Sequence, residues 1–167
     1  MQNIKLSPHF QLREFTESAT ARKHGIVNEP PAEVVANLKA LCEHTLEPLR
    51  KALGLPIIIN SGYRCKALND LMVHQSRKSQ HMNGQAADFY VGCTYGTKHS
   101  DSHRERLIRA FKTIILDEQI GFDQLIIYPT FIHVSYVSSG TNRAKITKAS
   151  SNGKYHALSH AEVLSLN

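Results

Sequence analysis

The feature that most constrains the fold is a run of apolar residues at helical spacing, which covers Val34–Leu53. Apolar positions three or four residues apart predict a helix with one buried face. Such a helix can begin at Pro30-Pro31, and Gly54 is a natural stop. Pro48 falls late in the run, so we expect it to kink the helix or to split it in two.

The remaining pattern places helices early and most strands late. Two further helices are predicted at Lys66–Val73 and His103–Leu116. Strands are predicted at Leu55–Asn60, Ala86–Val91, Gln124–Tyr128 and Phe131–Tyr136, with a turn at Pro129. Loops are predicted at His74–Ser79 and Cys93–Ser102. This order favours an α+β fold with a small, mainly antiparallel sheet flanked by helices.

The length of 167 residues suits one domain with its own apolar core. We assign residues 1–137 to this domain and residues 138–167 to a C-terminal extension. The extension is rich in Ser, Asn and Lys, and one strand is expected near Ala144–Thr147. The three cysteines, Cys42, Cys65 and Cys93, contain no CxxC pair, which argues against a disulfide framework and a cysteine zinc finger.

The charge balance, 20 Lys+Arg against 14 Asp+Glu, favours an anionic partner; nucleic acid, a phosphate-rich envelope and a bacterial cell wall all qualify, so charge alone does not choose among them. Nucleic acid is not the expected partner, because the basic residues are scattered and no nucleic-acid-binding motif is present. No apolar run is long enough for a membrane helix, and no secretory signal is visible at the N-terminus. We expect a monomer that does not span the membrane, either made in the cytoplasm or lacking a leader that has been removed.

One histidine and one aspartate are placed to meet a second histidine. Strand alternation puts Asp88 on one face of its predicted strand and His133 on one face of another. If the two strands are neighbours, these side chains converge, and His81 can reach them from the preceding loop. A His-Asp-His set suits Zn²⁺ and leaves a fourth position open for water. A histidine taken alone is more often a surface or core residue than a ligand.

Three segments of the chain resemble, in order, motifs of the zinc D-Ala-D-Ala carboxypeptidase family, which includes phage endolysin-type peptidases. Residues 79–88 (SQHMNGQAAD) resemble its SxHxxGxAxD motif. Residues 61–65 (SGYRC), followed by Leu68-Asn69, resemble its upstream S-x-Y-R segment. Residues 131–135 (FIHVS) resemble the strand that carries the last metal ligand. The resemblance extends over most of residues 5–137.

The resemblance implies a hedgehog/D-Ala-D-Ala peptidase-like fold with one zinc ion held by His81, Asp88 and His133. It also implies that Arg64 faces the substrate, where its guanidinium could bind an oxyanion or an anionic substrate end. The alternative for Arg64 is a structural ion pair with a carboxylate such as Asp70.

Two interpretations are open for Ser61 and Tyr63, which lie close to Arg64 in the sequence. Ser61 and Tyr63 could donate hydrogen bonds to the substrate, or they could stabilise the turn in which they lie.

The family's general base is an acidic residue shortly before the last histidine, often three positions upstream, where this chain has Thr130. A threonine cannot accept the proton from the attacking water. The nearest upstream carboxylate in a candidate position is Asp123, at the start of a predicted strand. Either Asp123 or another carboxylate acts as the base, or the enzyme works slowly through a water chain or from the side of Arg64, or the site binds zinc without hydrolysis.

Two functions therefore compete. The first is a zinc peptidase that cuts peptidoglycan stem peptides at D-amino acid bonds, as a carboxypeptidase or an endopeptidase. The second is a zinc-binding module of the same fold that recognises cell wall or a protein partner without cutting it.

Overall fold

The computed structural model describes residues 4–72, 76–93, 102–150 and 153–166. Its helices are α1 (Leu12–Thr16), α2 (Ala19–Lys23), α3 (Ala32–Leu41), α4 (Glu47–Leu53), α5 (Lys66–Leu71), α6 (His103–Leu116) and α7 (His160–Leu164). Its strands are β1 (Ile57–Ser61), β2 (Ala86–Val91), β3 (Gln124–Ile127), β4 (Ile132–Ser135), β5 (Lys145–Ala149) and β6 (Tyr155–Ala157). A short 3₁₀ helix covers Gln80–Asn83.

The six strands form one sheet in the order β1-β2-β4-β3-β5-β6. All neighbouring strands are antiparallel except β3 and β5, which run parallel. Helix α6 contacts β2 and β3, and α4 contacts α6, so the helices cover one face of the sheet. The expected α+β fold, with one mainly antiparallel sheet flanked by helices, is confirmed.

The long predicted helix is split, as Pro48 indicated. Between α3 and α4 the chain forms a π-helical turn over Cys42–Leu46. Pro48 has no N–H with which to bond the carbonyl of His44, four residues earlier. That carbonyl accepts a hydrogen bond from the backbone N–H of Gly121 at 3.0 Å instead. The proline therefore frees an acceptor that ties the helix to the loop preceding β3.

The core lies between the helices and the inner face of the sheet. On β2 the side chains of Ala87, Phe89 and Val91 point into this core and are at most 1% exposed. On α6 the buried residues include Leu107, Phe111 and Ile114. The alternate positions of β2 face the other way, so one face of the sheet is left to build a site.

The predicted bounds of β2 and α6 match the structure, and the other predicted elements match to within about two residues. Positions 73–75 and 94–101, which include most of the loop predicted at Cys93–Ser102, lie outside the described residues. The described part of the C-terminal segment continues the same sheet with β5 and β6, and Val163 of α7 is buried in the core. Among the described residues, the helices are too short or too polar to cross a membrane.

Candidate metal centre and substrate groove

The candidate metal centre begins with a cross-strand pair. Asp88 of β2 lies directly opposite His133 of β4 in the antiparallel ladder. Both side chains point to the face of the sheet opposite the core, and Asp88 Oδ1 lies 2.8 Å from His133 Nδ1. The convergence predicted from strand alternation is therefore present.

His81 reaches this pair from the 3₁₀ helix that precedes β2. Its Nδ1 lies 2.6 Å from the carbonyl oxygen of Gly62. A carbonyl can only accept, so Nδ1 carries the proton and Nε2 is left with a free lone pair. Nε2 lies 3.4 Å from Asp88 Oδ1 and 3.3 Å from His133 Nδ1. A backbone carbonyl that fixes the tautomer in this way is a common partner of metal-binding histidines.

The turn that carries His81 depends on Gly84. This residue ends the 3₁₀ helix with a φ of +67°, a conformation that costs little only for glycine. A Cβ at this position would lie 2.6 Å from the carbonyl oxygen of Val34 in α3. Both the backbone conformation and the close packing against α3 therefore require glycine here.

The electrostatics of the cluster suit a divalent cation. Burial alone would raise the pKa of Asp88, but His81 and His133 outweigh it and hold that pKa well below its usual range. Burial lowers the pKa of His81, so this imidazole is neutral at pH 7. The three ligand atoms lie within 4.8 Å of one another. A neutral imidazole, a second imidazole and a carboxylate at this separation fit zinc.

Arg64 lies beside the cluster and is only 4% exposed. Its backbone N–H donates to the carbonyl of His81 at 3.2 Å, and its Nη2 donates to Ser79 Oγ at 3.2 Å. Burial lowers its pKa, and the nearby charge of Asp88 acts in the opposite direction. The carboxylate of Asp70, the alternative partner considered for Arg64, accepts a hydrogen bond from Lys66 Nζ at 2.5 Å and so already has a partner within α5.

A family model described as Peptidase M15 matches residues 8–135. The chain belongs to this family. The match spans the three candidate ligands and Arg64, and it confirms the resemblance to the zinc D-Ala-D-Ala carboxypeptidase type. The M15 assignment supports a zinc metallopeptidase acting on peptidoglycan-type substrates in general. A comparison with curated proteins found no match.

In this M15 peptidase, the Asp123 carboxylate is part of a hydrogen-bond network next to the ligands. Oδ1 accepts from the backbone N–H of Arg143 at 2.9 Å, and the Arg143 guanidinium bonds both carboxylate oxygens. Oδ2 also accepts from Gln80 Nε2 at 3.0 Å. The hydrogen bonds from Arg143 lower the pKa of Asp123 to about 2. Gln80 directly precedes His81, so this carboxylate holds the turn that carries a ligand.

A groove of about 670 Å³ runs past His81, Asp88 and His133, the three candidate ligands. Arg64 and Gln80 border the groove on one side. Tyr128 and Phe131, which lie in the turn after β3, also line it. Its far side comes from the segment after the family match and is formed by Arg143, Lys145, Thr147 and Tyr155. Asp88 is the only carboxylate among the described residues that line the groove.

Ser61 and Tyr63 border a smaller cavity of about 400 Å³. Arg64, Asp88 and Phe131 line both this cavity and the groove, so the two spaces adjoin at Asp88, one of the candidate ligands. Tyr63 is 8% exposed, and its backbone N–H donates to the carbonyl of Phe15 at 2.7 Å.

Sequence reasoning missed several groove residues: Gln80, Tyr128, Arg143, Lys145, Thr147 and Tyr155. Tyr128 stacks on Phe131 with ring centroids 4.2 Å apart, and its hydroxyl lies 3.0 Å from that of Tyr155. Burial and the Tyr155 hydroxyl raise the pKa of Tyr128, so its hydroxyl stays protonated. Most of the other groove residues reach the groove through the parallel pairing of β5 with β3. No local sequence pattern predicts that pairing.

Proposed function

We propose that this chain is a zinc-dependent peptidase that hydrolyses peptidoglycan stem peptides at D-amino acid bonds. The observation that carries the proposal is the His81-Asp88-His133 cluster, which lies where a groove and a smaller cavity meet. A peptide laid through both spaces would pass its backbone directly over the ligands. The M15 assignment supports this class of reaction.

His81 Nε2, Asp88 and His133 Nδ1 would hold the zinc ion. Zinc bound there would polarise the scissile carbonyl and the attacking water as a Lewis acid. The Gly62 carbonyl keeps the His81 ring in the orientation that binding needs. The register of β2 against β4 does the same for the other two ligands.

Arg64 is the group in the described residues best placed to bind negative charge beside the ligands. Its side chain is held by Ser79 and lines both spaces that meet at the cluster. A guanidinium offers a fixed fork of donors, which suits a developing oxyanion or a substrate carboxylate. We propose that Arg64 binds the substrate in one of these two ways.

Neither Thr130 nor Asp123 is suited to accept the proton from the attacking water. Thr130 stands where the family carries its acid, and Asp123 has both oxygens engaged by Arg143. Its low pKa also makes Asp123 a poor proton acceptor. We therefore propose that Asp123 positions Gln80 and Arg143, and that solvent water in the open groove takes the proton from the attacking water and passes it to the leaving amine. Since a positioned base contributes about 10²–10⁴-fold, we expect slow turnover.

The second candidate function is a zinc-binding module that recognises cell-wall peptide without cutting it. Thr130 and the engaged state of Asp123 favour it, because hydrolysis then lacks a dedicated base. Both functions use the same metal ligands, so the presence of zinc alone does not separate them.

Digestion of purified peptidoglycan, with products read by mass spectrometry, tests the proposal. We expect slow release of fragments cut at D-amino acid bonds by zinc-loaded protein. The release should stop after chelation, return with zinc, and be absent for His133→Ala. If zinc-loaded protein cuts none of several wall chemotypes but sediments with the wall, the binding module is the correct function.

A further inference from the structure

We propose that Lys145 and Thr147 of β5, together with Tyr155 of β6, form a subsite for a carboxylate of the substrate, set apart from the candidate metal ligands along the groove. The inference rests on the proposed function, since it names what the far wall of the same groove recognises. This wall lies beyond the residues matched by the family model, which end at 135.

The position of the subsite follows from the sheet register. Asp88 is paired with His133, His133 with Ile126, and Ile126 with Thr147, in a row that crosses four neighbouring strands. Adjacent strands are about 4.8 Å apart, so Thr147 lies about 10 Å from His133 along the groove floor. Residues on one row share a face of the sheet.

Thr147 offers an unused polar group at this position. The residue is 4% exposed, it lines the groove, and its Oγ1 has no hydrogen-bond partner among the described residues. A buried polar group without a partner is destabilising, because it gives up its hydrogen bonds to water and gains none in return. A ligand oxygen in the groove would remove that cost by accepting a hydrogen bond from the hydroxyl.

The charge at this end of the groove selects an anion. Lys145 lies two residues before Thr147 on the same face of β5, and Lys78 also lines the groove. The charge of Arg143 is already balanced by Asp123. Lys145 and Lys78 have no ion-pair partner among the described residues. The described residues that line this end of the groove include no carboxylate with which they could pair.

Aromatic contacts fix the distance between this wall and the metal ligands. Tyr155 of β6 bonds Tyr128 through their hydroxyls, and Tyr128 stacks on Phe131. Phe131 is two residues from His133. These contacts hold the far wall of the groove against β4, the strand that carries His133. The distance between the subsite and the bond to be cut is therefore fixed.

This spacing defines the ligand. An extended peptide rises about 3.3 Å per residue, so about 10 Å corresponds to three residues from the scissile bond. The preferred substrate is therefore an acidic peptide with a free carboxylate at that separation. In a stem peptide cut near its D-alanines, the α-carboxylate of the γ-linked D-glutamate fits this description.

Two synthetic peptides test the subsite: L-Ala-γ-D-Glu-L-Lys-D-Ala-D-Ala and the same peptide with the glutamate α-carboxylate amidated. Binding to zinc-loaded protein is measured by titration calorimetry, and cleavage by mass spectrometry. We expect the acidic peptide to bind at least about tenfold more tightly, because hydrogen bonds to charged groups are the strong ones. Lys145→Gln should bring the ratio of the two affinities close to one.

Lys148→Gln is the matched control, because Lys148 lies on the opposite face of the same strand, and it should keep the wild-type ratio. Thr147→Val should weaken binding of the acidic peptide while zinc content stays as in the wild type and the melting temperature does not fall, because the substitution removes a buried hydroxyl that has no partner in the free protein. Equal wild-type affinity for the two peptides, or an unchanged ratio in Lys145→Gln, overturns the subsite.

The two proposals fail in different ways. If the acidic peptide binds selectively but is not cut, the peptidase function is overturned and the subsite stands. If both peptides are cut and bound equally, the subsite is overturned and the peptidase function stands. Absence of both binding and cleavage overturns both.

Discussion

Asp88 and His133 occupy directly paired positions of two antiparallel strands, with Oδ1 and Nδ1 2.8 Å apart. Their separation is set by the backbone hydrogen bonds of the sheet. A slip of one residue in this register would move one of the two side chains to the core face. Two of the three candidate ligands are thus fixed by the fold before any metal binds, and only His81 depends on a turn.

The first prediction concerns metal content. The wild-type protein should bind about one zinc ion per chain, and His81→Ala, Asp88→Ala and His133→Ala should each reduce this to background, since a three-ligand site tolerates no loss. Elemental analysis after dialysis against zinc-free buffer gives the measurement. His24→Ala, at an exposed residue outside the cluster, should keep its zinc. Full zinc occupancy in all three site variants would disprove the assignment.

The second prediction compares two glycines with nearly equal φ. Gly84→Ala should destabilise the protein more than Gly25→Ala, because a Cβ at 84 meets the Val34 carbonyl at 2.6 Å whereas one at 25 meets nothing within 4 Å. The left-handed conformation costs about 1–2 kcal/mol in both variants. The overlap at 84 should add about 1–3 kcal/mol. Denaturant unfolding measures both, and equal losses would show that α3 does not press on the turn.

The third prediction concerns Asp123 and pH. Its pKa is lowered by folding to about 2, so it contributes stability above its unfolded pKa and loses that contribution as the pH falls from about 4 towards 2. Asp123→Asn should therefore lower the free energy of unfolding by about 2 kcal/mol at pH 7. The difference from the wild type should stay constant between pH 7 and about 5 and narrow below about pH 4.

The measurement is denaturant unfolding of both proteins across this pH range, with zinc removed from both so that metal binding adds no pH dependence. Asp117→Asn is the control, because Asp117 lies outside this network. A wild-type-minus-variant difference that does not change with pH would mean that the charge of Asp123 is unimportant for folding.

The fourth prediction separates the charge of Arg64 from its geometry. Arg64→Ala should lower kcat/KM on the stem peptide by about 10²–10³-fold, as expected for loss of an oxyanion or carboxylate donor. Arg64→Lys keeps the charge but loses the forked donors, and it should recover only part of the activity. Zinc content should stay at the wild-type value in both variants. Arg22→Lys, at an exposed residue, should have no effect.

The three candidate ligands could be predicted from local patterns together with a family resemblance. Strand alternation put Asp88 and His133 each on one face of its strand, and the strand bounds were correct to within about two residues. The resemblance to the peptidase motifs then implied that these two residues and His81 bind zinc. Pro48 predicted the break in the long helix by its missing N–H. These are features that a few neighbouring residues determine.

The far wall of the groove could not be predicted because it depends on long-range pairing. β5 pairs in parallel with β3, and the segment that carries it has no strong periodicity. Asp123 was proposed as a base from its place in the sequence, yet its partner Arg143 comes from this wall, 20 residues later. Because Arg143 is brought to Asp123 by the pairing of a later strand, the residues around Asp123 do not predict this ion pair.

The parallel pairing of β3 with β5 also imposes an order on biosynthesis. His81, Asp88 and His133 are all translated before β5, so the three candidate ligands can come together in a nascent chain whose groove still has one wall. During that interval the edge of β3 (Leu125–Ile127) that later pairs with β5 has no partner strand, and open edges of this kind promote pairing between chains. The pairing of β5 with β3 therefore protects the growing chain from self-association and also completes the groove.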